Sequence, residues 1–569
     1  MGPGSVAERR VRMHAKARTS SQGSGLGVAI GPAIIAKPDL HLNAYEPGDR
    51  AKERRRLDKV LAKADKQLRK LAAQPVRANA AIFGAQRELL HDRRITDAAF
   101  ELVDSGEPAT TSWTQAVERH RPWLQGLPDA PGQLELADSV EHRILALLTG
   151  TPTEFETTEP GVLVVPVLDP GMAVTLDPKV VLGIVTIGGG PTGHGVIIAR
   201  SRGIPIFAAA GADVSGVEED DIIAFIARGE RRIAVNPEAD ELAEFERTLA
   251  ALEELQAEAQ AHAHEPAYTS DGTLIEIYAN VLAEADAGDM VAKGADGWVI
   301  RTEILFGGSP HPPTVEEQEQ AFLRLGRTLG NKRMIVRTWD IGGDKTVPFL
   351  PLDQEENPFL GVRGLRVFRN RPELLIDQVE AVCRAARFTP LSLMFPMVTT
   401  VEELDWALGL LEDVVARVGR PDSLQVGIMV EVPAAALRAR LMTQKLDFVS
   451  IGTNDLTQYT TAAERGNAAL HVLADPLDPA VLRLIRLVAD ESRQETLVAV
   501  CGDANTDPDV AALFVGLGVR ELTPGAPAVP MVKARLRTSS LAELTTLADR
   551  ALACTDAQEV RELIRSKFR

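Results

Sequence analysis

Cysteine is scarce in this chain of 569 residues: Cys383, Cys501 and Cys554 are the only three, and they lie far apart. That excludes a disulfide framework and a cysteine-rich zinc site, and it fits a reducing compartment, so a cytoplasmic location is expected. Long apolar runs are missing as well. No stretch approaches the ~18 residues of a membrane-spanning helix, so no membrane insertion is expected. The first ~20 residues are basic and polar and lack the apolar segment of a signal peptide. Positive charge is in deficit, with 62 Lys and Arg against 80 Asp and Glu and a formal net charge of −18. A broad nucleic-acid surface is therefore not expected, whereas a basic protein partner would be accommodated.

What is present begins with residues 188–205, GGGPTGHGVIIARSRGIP. Glycines and Pro191 make a turn, and the apolar run after them reads as the opening of a helix, with His194 at the junction. Helix N–H groups near such an imidazole favour an anionic substituent on the ring, and a phosphoryl group is one. Taken alone, the stretch could equally be a glycine-rich turn carrying an incidental histidine.

The length of the chain implies several domains. Residues 25–37 are apolar, β-prone and glycine-punctuated, and could form a strand pair. Apolar spacing predicts helices over 51–73, 78–90, 112–121 (ended by Pro122) and 136–148. Strand-like segments return at 161–168, 180–187, 205–208, 222–226 and 232–235, around the His194 turn. The pattern predicts a small α/β domain from residues 23–45 and 150–238, into which a helical bundle, 46–149, is inserted as a docking surface. Residues 1–22 are read as a disordered extension. Leu242, Phe245, Leu249 and Leu252 describe an amphipathic linker helix within 239–265. His262 and His264 at its end lack further ligand residues nearby and read as solvated linker rather than a metal site.

From residue 266 the pattern is that of a (β/α)8 barrel. Eight β-like segments follow in order: LIEIYAN, GWVIRTE, MIVRTWD, SLMFPMV, QVGIMVE, DFVSIGTND, LVAVCGD and ELTPGA. Polar residues collect at their C-terminal ends, the face that carries the active sites of such barrels: Asn280, Arg301 with Glu303, Arg337 with Asp340, Glu431, Asn454 with Asp455, and Cys501 with Asp503. Arg301 and Arg337, with Arg363 in the following loop, could hold a phosphate by forked hydrogen bonds. Glu431 and Asp455, without thiolate or imidazole partners, suit Mg²⁺. Arg465 could meet a carboxylate or phosphate. The same acids could instead pair with these arginines. Cys501, a thiol facing the pocket, could protonate a carbanion-like carbon, although a lone cysteine is more often structural. No Walker A sequence occurs, which favours a phosphoryl donor smaller than a nucleotide.

At this point the sequence resembles Enzyme I of the bacterial sugar phosphotransferase system, the phosphoenolpyruvate–protein phosphotransferase family. GADGWVIRTEILF, RTWDIGGDK, EENPFLGVRGLR, MVEVPAAA, DFVSIGTNDLTQYT and VCGD carry the resemblance in the family's order, together with GGGPTGHGVIIARS. It implies that phosphoenolpyruvate passes its phosphoryl group to His194 in the presence of Mg²⁺. From there the group goes to a histidine of the small phosphocarrier protein HPr, in the service of sugar uptake. By the same match Arg301, Arg337 and Arg465 bind substrate, Asn454 contacts the substrate carboxylate, and Glu431 and Asp455 hold the metal. Cys501 protonates the enolate to pyruvate, and the barrel half forms a homodimer. Three departures stand out: Gly193 where the family carries a hydroxyl, Asp503 for a glutamate, and Arg87, Arg93 and Arg94 where a more acidic docking face is expected. A pyruvate synthase or dikinase would need a large nucleotide-binding domain for which fewer than ~265 residues leave no room. A phosphorylatable regulatory protein without turnover is the other alternative.

Overall fold

The computed structural model describes residues 27–36, 45–72, 79–125, 130–153, 155, 157–189, 193–227, 231–281, 284, 287–343, 345, 347–353, 355–464, 470 and 472–568. The expected extension 1–22, the turn residues 190–192, and Arg465 lie outside them.

The first compact unit ends at Glu254. Its sheet holds β1 (Val28–Ile35), β2 (Gly161–Val165), β3 (Val181–Thr186), β4 (Ile206–Phe207), β5 (Ile222–Ile226) and β6 (Arg232–Val235). The order is β4-β3-β2-β1-β5-β6. Strands β1 to β4 pair parallel, while β5 and β6 join antiparallel. Residues 25–37 thus supply a single central strand rather than a pair, because β1 finds partners on both sides at β2 and β5 instead of folding on itself.

Between β1 and β2 run the helices Arg50–Ala72, Asn79–Leu90, Arg93–Ser105, Ala109–Leu124 and Ala130–Thr149. The helix Arg93–Ser105 was not expected from apolar spacing. It is bounded by Asp92, whose side chain accepts from Arg94 N–H, and by Gly106 in the left-handed conformation at φ 109°. Pro122 does not end its helix, which continues to Leu124. In a last turn proline forfeits one hydrogen bond only, and buried Leu124 holds the turn in place. The inner faces of these helices and one face of the sheet share a single apolar cluster, including Leu57, Trp113, Ile144, Leu163 and Ile184. The opposite sheet face buries Val162, Val185 and Phe225.

The helix Ala239–Ala261 crosses from the first unit into the second, which begins at Leu255. At its end His262 is exposed and pairs with Glu265. The second unit opens with β7 (Ala267–Tyr268), antiparallel to β8 (Leu274–Val281). Then come β9 (Gly297–Arg301), β10 (Met334–Arg337), β11 (Leu391–Phe395), β12 (Gln425–Val430), β13 (Phe448–Gly452), β14 (Leu497–Cys501) and β15 (Glu521–Thr523). Strands β8 to β15 are all parallel, and β15 pairs with β8, so eight strands close into a barrel. Alternate residues point inward. Tyr278, Val299, Ile335, Met394, Met429 and Phe448 fill the interior and meet Cys501. Gly427 makes room for this filling: a Cβ there would stand 2.7 Å from the Phe448 ring. The outward residues form a separate, larger core with the surrounding helices.

Candidate active site

The C-terminal ends of the barrel strands carry a buried charge network. Register places Arg301 and Arg337 side by side at the ends of β9 and β10. Arg337 is 1% exposed and ion-pairs with buried Glu303, which opens the helix Thr302–Leu305 directly after β9. Its Nη2 is also 3.5 Å from Asp340 Oδ2. The Nε of Arg337 is buried without a hydrogen-bond partner among the described residues, a donor left over for an anion or water.

Asp340 is the hub. It is fully buried and takes the fork of Arg363, Nε at 3.0 Å and Nη2 at 3.1 Å, while Lys345 reaches its Oδ2. Burial alone would favour the neutral acid, but Lys345, Arg337 and Arg363 outweigh it and hold the carboxyl well below its usual range. Arg363 extends further, donating to Asp455 Oδ1 at 2.7 Å and to the Tyr459 hydroxyl at 3.2 Å. Of the arginines read from sequence as phosphate ligands, Arg337 and Arg363 are thus already engaged by carboxylates. The pairing of these acids with the arginines, one of the two sequence expectations, is present in the fold.

Glu431 follows β12, and its Oε1 accepts the Met397 N–H at 2.7 Å. Its other oxygen faces Gly452, where a Cβ would come within 2.9 Å of Oε2. Burial first, then the charges of Asp455 and Asp340, push the Glu431 carboxyl up to about 7. Two mutually repelling carboxylates, one with an oxygen in space kept clear by a glycine, form a donor set that fits a hard cation such as Mg²⁺. Among the described residues no third His, Cys, Asp or Glu joins a cation-holding group, so water and substrate oxygens would complete the coordination.

Gly452 of β13 lies in register with Cys501 of β14. The helix Thr453–Thr461 starts directly after it and presents Asn454 and Asp455 in its first turn. Asn454 exchanges two hydrogen bonds with Asp503: Nδ2 donates to Oδ2 at 3.1 Å, and the Asp503 N–H donates to Oδ1 at 3.4 Å. The shorter acid therefore still reaches the asparagine. Cys501 is 8% exposed, and burial raises its pKa against the opposing pull of a Ser450 hydrogen bond and the Arg301 charge. It stays a thiol, the form that can give up a proton.

In the first unit His194 is the first residue of the helix His194–Ser201. Gly195 lets this helix end approach the loop after β2, since a Cβ there would lie 2.0 Å from the Leu168 carbonyl oxygen. Gly193 occupies the cap position with no side chain to offer. Glu135, from the helix Ala130–Thr149, takes that role: its Oε1 accepts the His194 N–H at 3.0 Å. Its Oε2 lies 3.3 Å from His194 Nδ1. Sequence reading missed Glu135 entirely, because nothing local links positions 59 residues apart. The basic residues of the helical segment are partly neutralised: Arg87 pairs with Asp65, and Arg94 pairs with Asp92 while lying 3.5 Å from the Trp123 ring centre.

Comparison with known proteins bears on both sites. Residues 256–541, which include the whole charge network, match the family described as PEP-utilising enzyme, PEP-binding domain. Residues 22–131 match its N-terminal part, and 157–227, around His194, match its mobile domain. The chain is 41% identical over 495 residues to a multiphosphoryl transfer protein of Xanthomonas campestris pv. campestris, covering 85% of this chain and 59% of that protein. It thus spans little more than half the length of that longer relative. It is 37% identical to a phosphoenolpyruvate-protein phosphotransferase of Haloferax volcanii, with 85% of this chain and 86% of that one covered. To the phosphoenolpyruvate-protein phosphotransferase of Listeria innocua serovar 6a it is 33% identical over 555 residues, with 95% and 97% covered. With half of its length in one family match and full-length relatives beside it, the chain belongs to the family of PEP-utilising enzymes.

Proposed function

We propose that the protein takes the phosphoryl group of phosphoenolpyruvate onto His194, releases pyruvate, and passes the group to a histidine of an HPr-type phosphocarrier protein that feeds sugar uptake. The observation that carries this reading is the division of labour between the two units. The described barrel mouth holds Arg301, Arg337 and Arg363, the Glu431 and Asp455 carboxylates and the Cys501 thiol, while the histidine stands at a helix N-terminus in the other unit.

In this reading Arg301 and Arg337, with Arg363 and Arg465, bind the phosphate and carboxylate of the substrate. Asn454, held by Asp503, orients the carboxylate. Glu431 and Asp455 would hold Mg²⁺, which when bound offsets substrate charge. A lone pair of the His194 imidazole forms the bond to phosphorus. The phosphorus–oxygen ester bond breaks, and its electrons leave with the enolate oxygen. The enolate carbon takes the Cys501 proton, giving pyruvate, and solvent restores the thiol. The histidine has to meet first a substrate in the barrel and then a separate protein, so we infer that its domain (23–45 and 150–238), together with the inserted helices that share its apolar core, moves as a body about the linker. The docking helices are those of 46–149, and a homodimer forms through the barrel of 266–569. Exposed Leu437, directly after the helix Pro433–Ala436, and Leu441, on the helix Ala439–Met442, are apolar surface available to such an interface.

The test is mass spectrometry of the protein after incubation with phosphoenolpyruvate and Mg²⁺, together with a pyruvate assay. One acid-labile phosphoryl group on His194 with release of pyruvate is expected. Labelling by a phosphorylated carrier without any pyruvate release would favour the regulatory alternative.

A further inference from the structure

We propose that Glu135 is the positioning residue of His194, fixing which ring nitrogen carries the proton; this rests on the reading of His194 as the phosphoryl acceptor. The carboxylate is anchored by the His194 backbone N–H, an orphan donor of the helix His194–Ser201 that Gly193 cannot cap. That anchor fixes Oε2 at 3.3 Å from Nδ1, within ion-pair distance though not aligned as a hydrogen bond. Nδ1 is buried and, among the described residues, no other hydrogen-bond partner claims it. Glu135 and His194 are each about three-quarters buried, which limits competition from water. A carboxylate only accepts hydrogen bonds, so the proton of the neutral imidazole belongs on Nδ1, and a small ring rotation aligns it with Oε2. The lone pair is then on Nε2, the nitrogen away from Glu135.

The consequence for transfer is direct. The Nε2 lone pair forms the bond to phosphorus, the ester bond to the bridging oxygen breaks, and its electrons depart with the enolate. The ring keeps its proton on Nδ1 and becomes formally positive, and the Glu135 carboxylate offsets that charge. Glu135 does not touch the phosphoryl group and acts through the imidazole.

The experiment compares wild type, Glu135→Ala and Glu135→Gln in the full chain, using phosphoenolpyruvate with Mg²⁺ as donor. It reads the rate of acid-labile labelling and the His194 tautomer by ¹⁵N NMR, with His194→Ala assigning its signals among the ten histidines. Glutamine can keep the anchor with its carbonyl oxygen, but its amide NH₂ then faces Nδ1 and drives the proton to Nε2. The expected tautomer is Nδ1–H in wild type, mixed in Glu135→Ala and Nε2–H in Glu135→Gln. The expected labelling order is wild type, then Ala roughly tenfold slower, then Gln about 10²-fold slower or worse, because an imposed wrong tautomer costs more than none. A merely structural contact would make Ala the poorer variant and leave the tautomer alone. An unchanged tautomer in Glu135→Gln overturns the proposal. Absence of a label on wild-type His194 overturns the acceptor reading instead, and the NMR result still decides the role of Glu135.

Discussion

Arg363 and Asp455 are joined by a 2.7 Å bond between Nη1 and Oδ1, although 92 residues separate them and both side chains are almost fully buried. Through the same guanidinium Asp455 is tied to Asp340. Arg363→Ala would strip two buried carboxylates of a shared, forked partner. Loss of one member of such a buried pair typically costs about 3–5 kcal/mol. A fall in the unfolding midpoint of the barrel is expected by calorimetry, with a smaller fall for Arg363→Lys, which keeps the charge and loses the fork. Equal midpoints for wild type and Arg363→Ala would mean that the network is not holding the barrel mouth together.

The Cys501 thiol faces the barrel interior at the end of β14 and stays protonated because burial disfavours the thiolate. Cys501→Ala removes the proposed general acid, a change that usually costs 10²–10⁴-fold. Pyruvate release should fall by about that factor, while binding of phosphoenolpyruvate, measured by calorimetry, stays within a few-fold of wild type. Undiminished pyruvate release would return Cys501 to a packing role.

His194→Ala removes the proposed acceptor but leaves the helix it begins, whose body buries Val196, Ile198 and Ala199 in the first-unit core. The variant is expected to take up no acid-labile phosphoryl group while its circular dichroism and unfolding midpoint stay close to wild type. Labelling at the wild-type level would place the acceptor elsewhere.

The barrel was legible because its strands are short apolar runs, several with a polar residue at the end or directly after it, such as Arg301 on β9, Arg337 on β10 and Glu431 after β12. Period and position both survive in the sequence. What was not legible depends on contacts between distant segments. Asp340 and Glu303 stood out as strand-end acids, yet only the fold shows that they hold Arg337 and Arg363. Glu135 sits on a helix face like any exposed glutamate until Gly193 leaves the cap of the next domain's helix open. Pro122 misled because a proline in the last turn breaks one hydrogen bond rather than the helix. The helix Arg93–Ser105 was hidden by a charged first turn, although its caps, Asp92 and Gly106, were in the sequence.

The last prediction concerns the opposite end of the barrel. Glu521 begins β15, is 1% exposed, and has no hydrogen-bond partner among the described residues for either carboxyl oxygen. Its register partner on β8 is Glu276, and Tyr278 and Arg333 are its other charged or titratable neighbours. Burial pushes the Glu521 carboxyl up to about 8, with Arg333 opposing and Glu276 adding to the shift. An unfolded glutamate titrates near ~4.3, so the folded state holds its proton more tightly than the unfolded one. Stability from this group is therefore fully present below about pH 4.3, falls as the pH rises toward about 8, and is level above that. Glu521→Gln keeps the shape of the neutral acid and cannot ionise. Its unfolding midpoint should exceed that of wild type at pH 8–9 by roughly 4 °C or more, about 2 kcal/mol for a domain of this size, and the gap should close by pH 5. Thermal melts of the two proteins across that range decide it: parallel curves would show that Glu521 is ionised and paired in the folded barrel at neutral pH, and that burial does not keep it protonated.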